Sequence, residues 1–187
     1  MSTWQFRLLV GSLLVACGQS AFGYVTYGNG YGSKWGDDPS FGTGAIVTWS
    51  FMQDGTTVDP SVPDASGMSG TSNVTALRAS VDSVYGSGAF NTAIQNALNT
   101  WSAAANITFV GPVPDSGLPS GSVGAANPNI RIGAFHAVAN SGFAGVGAIG
   151  YGPPGPPNDI TDFPLSGDVF FNLDGPGTVR SFQIAPG

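Results

Sequence analysis

Charge and metal-ligating side chains are what this sequence has least of. Charged residues make up 9% of its 187 positions, and the five basic ones are Arg7, Lys34, Arg78, Arg131 and Arg180. Scattered as they are along a chain of formal net charge -6, they cannot form the Lys/Arg patch that nucleic acid or an anionic membrane surface requires. There is a single cysteine, Cys17, and a single histidine, His136. That excludes a disulfide framework, and it leaves zinc without the several nitrogen or sulfur ligands it takes. Serine and aspartate are plentiful, but with one histidine they are a composition and not a catalytic constellation. The apolar run at residues 8–16 is too short to cross a bilayer, and no other run is long enough.

Glycine and proline are abundant, at 29 and 14 residues, a balance that favours short strands and many turns over long solvated helices. The length fits one domain with enough apolar content for a core of its own. Residues 1–23 read as a signal peptide: Arg7 supplies the positive start, residues 8–16 the apolar run, and Gly18, Ser20, Ala21 and Gly23 the small residues of a cleavage region. The expectation is an exported protein beginning near Tyr24. A second processing stays open, in which Leu14, Val15 and Ala16 precede an acylated Cys17 as in a lipoprotein.

Residues 24–44 form a glycine-rich opening segment, with Trp35 and Phe41 available for burial, and residues 45–187 carry the domain. The clearest stretch is 88–110. Phe90, Ile94, Ala97, Leu98 and Trp101 recur at spacings that place them on one helical face, with Asn91, Gln95, Asn96 and Asn99 turned to water. Ile107, Thr108, Phe109 and Val110 then give a strand. Alternation over 45–52 predicts the first strand, 129–135 the third, 146–151 a glycine-rich fourth ended by the prolines from Pro153 onward, and 169–172 the fifth. A weaker helix is expected over 74–84, with 53–73 and 111–128 as loops.

Taken in order, KWGDDPSFGTGAIVTWSFM, AFNTAIQNALNTWSAAANITFV, NPNIRIGAF, GVGAIGYGPPGPP and SGDVFFNLD resemble the N-terminal subdomain of the matrixin metallopeptidases, within the metzincins. The resemblance covers roughly residues 34–174. It implies an α/β (α+β) fold, a twisted, mostly parallel five-stranded sheet with a long backing helix. It also implies an exported zinc-dependent metalloendopeptidase that pairs an extended peptide with the edge strand, here Val146, Gly147, Ala148 and Ile149.

The departures are specific. Catalysis in that family requires an HExxH helix and a third histidine, so that three imidazoles hold zinc and the glutamate acts as general base. This chain has only His136, and its eleven acidic residues are all aspartate, so no catalytic residue can be assigned. The sequence ends about where that helix belongs, and it reads as a truncated chain whose missing C-terminal half would be a partner. The family's structural zinc histidines match Ile149 and Phe170, which cannot ligate. Its calcium ligands match Asn129 and Asp168, which offer oxygen but only one carboxylate. Asp168 also reads as a turn residue before a strand, and His136 as a surface or hydrogen-bonded imidazole. The alternative function is a secreted, non-catalytic module that uses the same edge to bind a peptide or serves a structural role.

Overall fold

The computed structural model describes residues 35, 42–59, 67–122, 127–153 and 165–175. The signal segment with Cys17, nearly all of the opening segment, and the prolines beyond Pro153 lie outside the described residues.

The sheet is built outward from β1 (Ala45–Phe51), whose alternation buries Val47 and Trp49 while Ile46 stays 74% exposed. It pairs in parallel with β3 (Ile107–Val110) on one side and β4 (Ile130–Ala137) on the other. β4 continues in parallel to β6 (Val169–Asn172), and β5 (Ala148–Gly150) closes that side as an antiparallel edge. The order is β3-β1-β4-β6-β5, and β2 (Met68–Ser69) pairs antiparallel with the end of β4 to make a six-stranded sheet. The mostly parallel sheet follows the sequence expectation, with one correction. Five strands were expected, and the sixth lies in the 53–73 stretch expected to be loop. Two residues are too few to carry a period, so β2 has no sequence signal and is created by its partner strand.

Two helices cover one face. α1 (Val74–Tyr85) starts where the Asn73 side chain accepts the Ala76 N–H at 2.9 Å, and it buries Val74, Leu77 and Val81. α2 (Ala89–Ala104) follows Gly88, and its exposed start is capped from a distance: the Asp82 carboxylate accepts the N–H groups of Gly88 and Phe90, each at 2.9 Å. Under the helices Trp49, Leu77, Phe90, Ile132, Ala134 and Phe171 form the first core cluster. Its rings meet edge to face, with Trp49 5.3 Å from Phe51 and Phe90 6.1 Å from Phe171.

The apolar face expected of α2 is only partly buried. Phe90 and Leu98 are buried and Ile94 packs on the cluster, but Ala97 is exposed and Trp101 is 64% exposed. The helix packs on α1 and on β3, the last strand on that side, so the sheet runs out beneath its final turn. The opposite sheet face carries a second cluster of Met52, Met68, Phe135, Phe143, Leu165 and Phe170, covered by loops. Trp35, from the opening segment, lies against Gly167, where a Cβ would overlap its indole. Among the described residues no helix is long and apolar enough to cross a membrane.

Candidate functional site

β5 bonds on one side only. Asn172 N–H donates to the Gly147 carbonyl and Tyr151 N–H to the Asp168 carbonyl, both at 2.9 Å. An antiparallel strand alternates the direction of its backbone groups, so Gly147, Ile149 and Tyr151 face β6 while Ala148 and Gly150 turn theirs outward. Both are exposed, and among the described residues no strand lies beyond them. Of the four expected residues, only Ala148 has backbone groups free to pair. Val146 gives its N–H to the Phe143 carbonyl at 3.3 Å and its carbonyl to Asn172 Nδ2 at 2.9 Å, and the Ile149 side chain packs into the second core cluster. Gly150, which lay outside the expected set, supplies the other outward position.

The glycines of this edge differ from those elsewhere. At Gly133 a Cβ would come within 2.7 Å of Met52 and Phe135, and at Gly175 within 2.8 Å of the Val146 carbonyl, so the fold itself demands glycine there. At Gly142, Gly145, Gly147, Gly150 and Gly152 nothing lies within 4 Å of such an atom and none has a positive φ. No contact inside the described fold accounts for them, and they leave the edge bare of side chains.

Behind the sheet lies a buried charge cluster. Arg131 comes from β4, on the face away from the helices, and is 2% exposed. Its Nε and one terminal nitrogen donate to the two oxygens of Asp115 at 2.8 and 3.0 Å, and the Leu118 and Pro119 carbonyls accept at 2.8 and 3.4 Å. Asp115 also accepts from the Ser50 hydroxyl at 3.1 Å and the Gly117 N–H at 3.0 Å. Burial pushes its carboxyl up, but the bonds from Arg131, Gly117 and Ser50 and the guanidinium charge outweigh that and hold it below the usual carboxylate range. The cluster pins the 111–122 segment to the sheet. Sequence reasoning missed it, although a lone Arg at an inward position of the apolar NIRIGAF strand is a signal: such a charge is rarely buried without a partner.

Asn129 and Asp168 border this cluster. Asn129 Oδ1 accepts from the Thr48 N–H at 2.8 Å and its hydroxyl at 2.9 Å, while Asp168 Oδ1 accepts the Arg131 N–H at 2.9 Å. Burial pushes the Asp168 carboxyl up to about 7, against the Arg131 N–H and charge and with added repulsion from Asp115. The pair thus offers a cation one carboxylate beside a guanidinium and an amide oxygen already engaged by Thr48. These two residues alone do not make the oxygen cage of about six to eight ligands that calcium takes. Among the described residues no group of three or more His, Cys or Asp comes together as a metal site. Ile149 and Phe170, which stand where the resemblance places structural zinc ligands, pack in the second core cluster.

His136 is the last residue but one of β4, with its ring more than half exposed, and Nδ1 lies 2.9 and 3.0 Å from the two oxygens of Asp174. This is the hydrogen-bonded imidazole the sequence suggested, with a partner that it did not. No protein-family model matches the chain, and no curated protein matches it.

Proposed function

We propose that this chain binds an extended peptide by strand addition to β5, as the sheet-bearing part of an exported, matrixin-type metalloendopeptidase that is catalytically incomplete in this sequence. The observation that carries the reading is the outward pair of backbone positions, Ala148 and Gly150, on an exposed edge cleared of side chains by glycine. Main-chain bonds to such an edge give affinity without demanding a particular peptide sequence. The matrixin assignment rests on the order of motifs and adds zinc chemistry only in the parent family. One histidine and no glutamate leave this chain without the ligands and base for it. The same deficit favours the second reading, a secreted module that binds peptides without hydrolysing them.

The test is Ala148→Pro and Gly150→Pro, each of which removes an N–H that the fold does not use. Loss of one such bond costs about 0.5–1.5 kcal/mol, so each variant is expected to weaken extended-peptide binding by roughly two- to ten-fold in fluorescence anisotropy. Melting temperature should hold. Peptide affinity equal to the parent in both variants would remove the edge from the reading. Cleavage of the bound peptide by the 187-residue chain would overturn the claim that it is catalytically incomplete.

A further inference from the structure

Three side chains tie the far end of β4 to the root of β5. Asn172 is fully buried at the end of β6, and both ends of its amide are engaged: Nδ2 donates to the Phe143 carbonyl at 2.7 Å and the Val146 carbonyl at 2.9 Å, and Oδ1 accepts the Asp174 N–H at 2.9 Å. Phe143 and Val146 bracket the turn Phe143–Gly145 that leads into β5. The Asp174 carboxylate is held in turn by the Ala137 N–H at 3.0 Å and by His136 Nδ1. Gly175 presses the following turn onto the same junction, its missing Cβ lying 2.8 Å from the Val146 carbonyl and 3.0 Å from Asn172 Nδ2. A continuous set of bonds therefore runs from an exposed imidazole to the start of the edge strand.

The groups around the imidazole are few. Asp174 is the one titratable partner among the described residues. β2 opposes His136 with Ser69, which does not titrate, and its hydroxyl reaches only the His136 carbonyl, at 3.5 Å. α1, which also packs on β4, carries Arg78, whose guanidinium sits 5.1 Å over the Phe51 ring, and Asp82, engaged at the start of α2.

We propose that His136 and Asp174 form a proton-responsive clasp that sets the order of the β5 edge. With the imidazole protonated, charge attraction adds to the hydrogen bond, Asp174 stays docked, and Asn172 remains turned toward Phe143 and Val146. With the imidazole neutral, Nδ1–H still donates but the charge attraction is gone, and the root of β5 opens more often. That this tunes peptide pairing rests on the proposed function; the clasp itself does not.

The experiment is amide hydrogen exchange on the full chain from about pH 5 to about pH 8, where imidazoles change charge, corrected for intrinsic exchange. Asn172 N–H, bonded to the Gly147 carbonyl, reports the edge, and Met52 N–H, bonded to the Ile132 carbonyl, reports the sheet centre. An exposed ion pair is worth about a two- to five-fold change in opening. The Asp168 carboxyl, beside β6, is raised to about 7 and changes charge in the same range, so the measurement is made in an Asp168→Asn background. There Asn172 protection should fall about two- to five-fold across the range while Met52 protection does not, and with H136Q or D174N added the Asn172 profile should be flat. His136 is largely exposed, so H136Q retains the fold even if D174N does not. A flat Asn172 profile in the Asp168→Asn chain, or an unchanged slope when H136Q is added to it, overturns the clasp. Peptide affinity measured over the same range separates the two ideas: a slope in exchange without one in affinity leaves the clasp standing and removes only its link to peptide pairing, while β5 as the peptide site is tested by the proline variants.

Discussion

Arg131 and Asp115 are the most demanding residues to place in this fold, because both charges lose water and must be repaid by geometry. Side-chain exposures of 2% and 1% put the pair in the interior, and the two-point contact plus carbonyl and hydroxyl partners meet that demand. Asp115→Ala leaves a buried guanidinium with carbonyl partners alone, and should cost about 3–5 kcal/mol in urea unfolding. Replacing both, as Asp115→Ala with Arg131→Met, is expected to cost less than the single change, since no charge is then stranded. Asp168 has the opposite electrostatics. Its folded carboxyl is raised to about 7, so its contribution to stability is complete below the unfolded value near 3.8 and is lost as pH rises through about 7. Asp168→Asn keeps an oxygen for the Arg131 N–H but cannot ionise. Thermal melts should show it more stable than the parent at pH 8 by at least about 2–4 °C, the shift one kcal/mol gives in a domain of this size, and the advantage should vanish toward pH 4.

At the scale of elements, α2 shows why a periodic apolar face is not the same as a buried one. Phe90 sits between Phe51 and Phe171, with ring centres 5.6 and 6.1 Å away, and Phe90→Ala should cost about 3–5 kcal/mol. Trp101→Ser, on the same face, should fall within about 0.5 kcal/mol of the parent in the same denaturation series. The helix start adds a pH term, because the Phe90 and Gly88 N–H groups hold the Asp82 carboxyl below its usual range. Its stabilisation is present above about 3.8 and is lost as pH falls through the depressed folded value. Both helices and five strands were legible because 3.6-residue spacing and runs such as ITFV and FFN state local preference. What was not legible depends on neighbours distant in sequence. Trp101 has the right spacing but no strand beneath it, β2 exists through its pairing with Ala137 and His136, and Arg131 finds Asp115 across a proline-rich loop. The edge was legible as glycine-rich, yet which backbone groups turn outward, those of Ala148 and Gly150, follows from alternation against β6.

For the whole molecule, the strand order leaves the sheet with two ends that differ in kind. β5 is a three-residue strand set among glycines and followed by Pro153, features that limit indiscriminate pairing. β3 is also short and is followed by Gly111 and Pro112, but among the described residues it lies beside exposed apolar side chains. On the sheet face away from the helices, Ile46 is 74% exposed and Val110 44% exposed, and they sit on the register-paired strands β1 and β3. The second core cluster covers the β4 to β5 end of that face and does not extend to them. An apolar strip beside an open edge favours contact between copies, and a formal charge of -6 opposes it over distances set by the salt. Association should therefore rise with both protein and salt concentration in sedimentation velocity. Ile46→Lys with Val110→Lys should abolish that rise with little change in melting temperature, because Ile46 is largely exposed and Val110 nearly half exposed. If the parent chain sediments as a monomer across the whole salt series, the strip does not drive self-association.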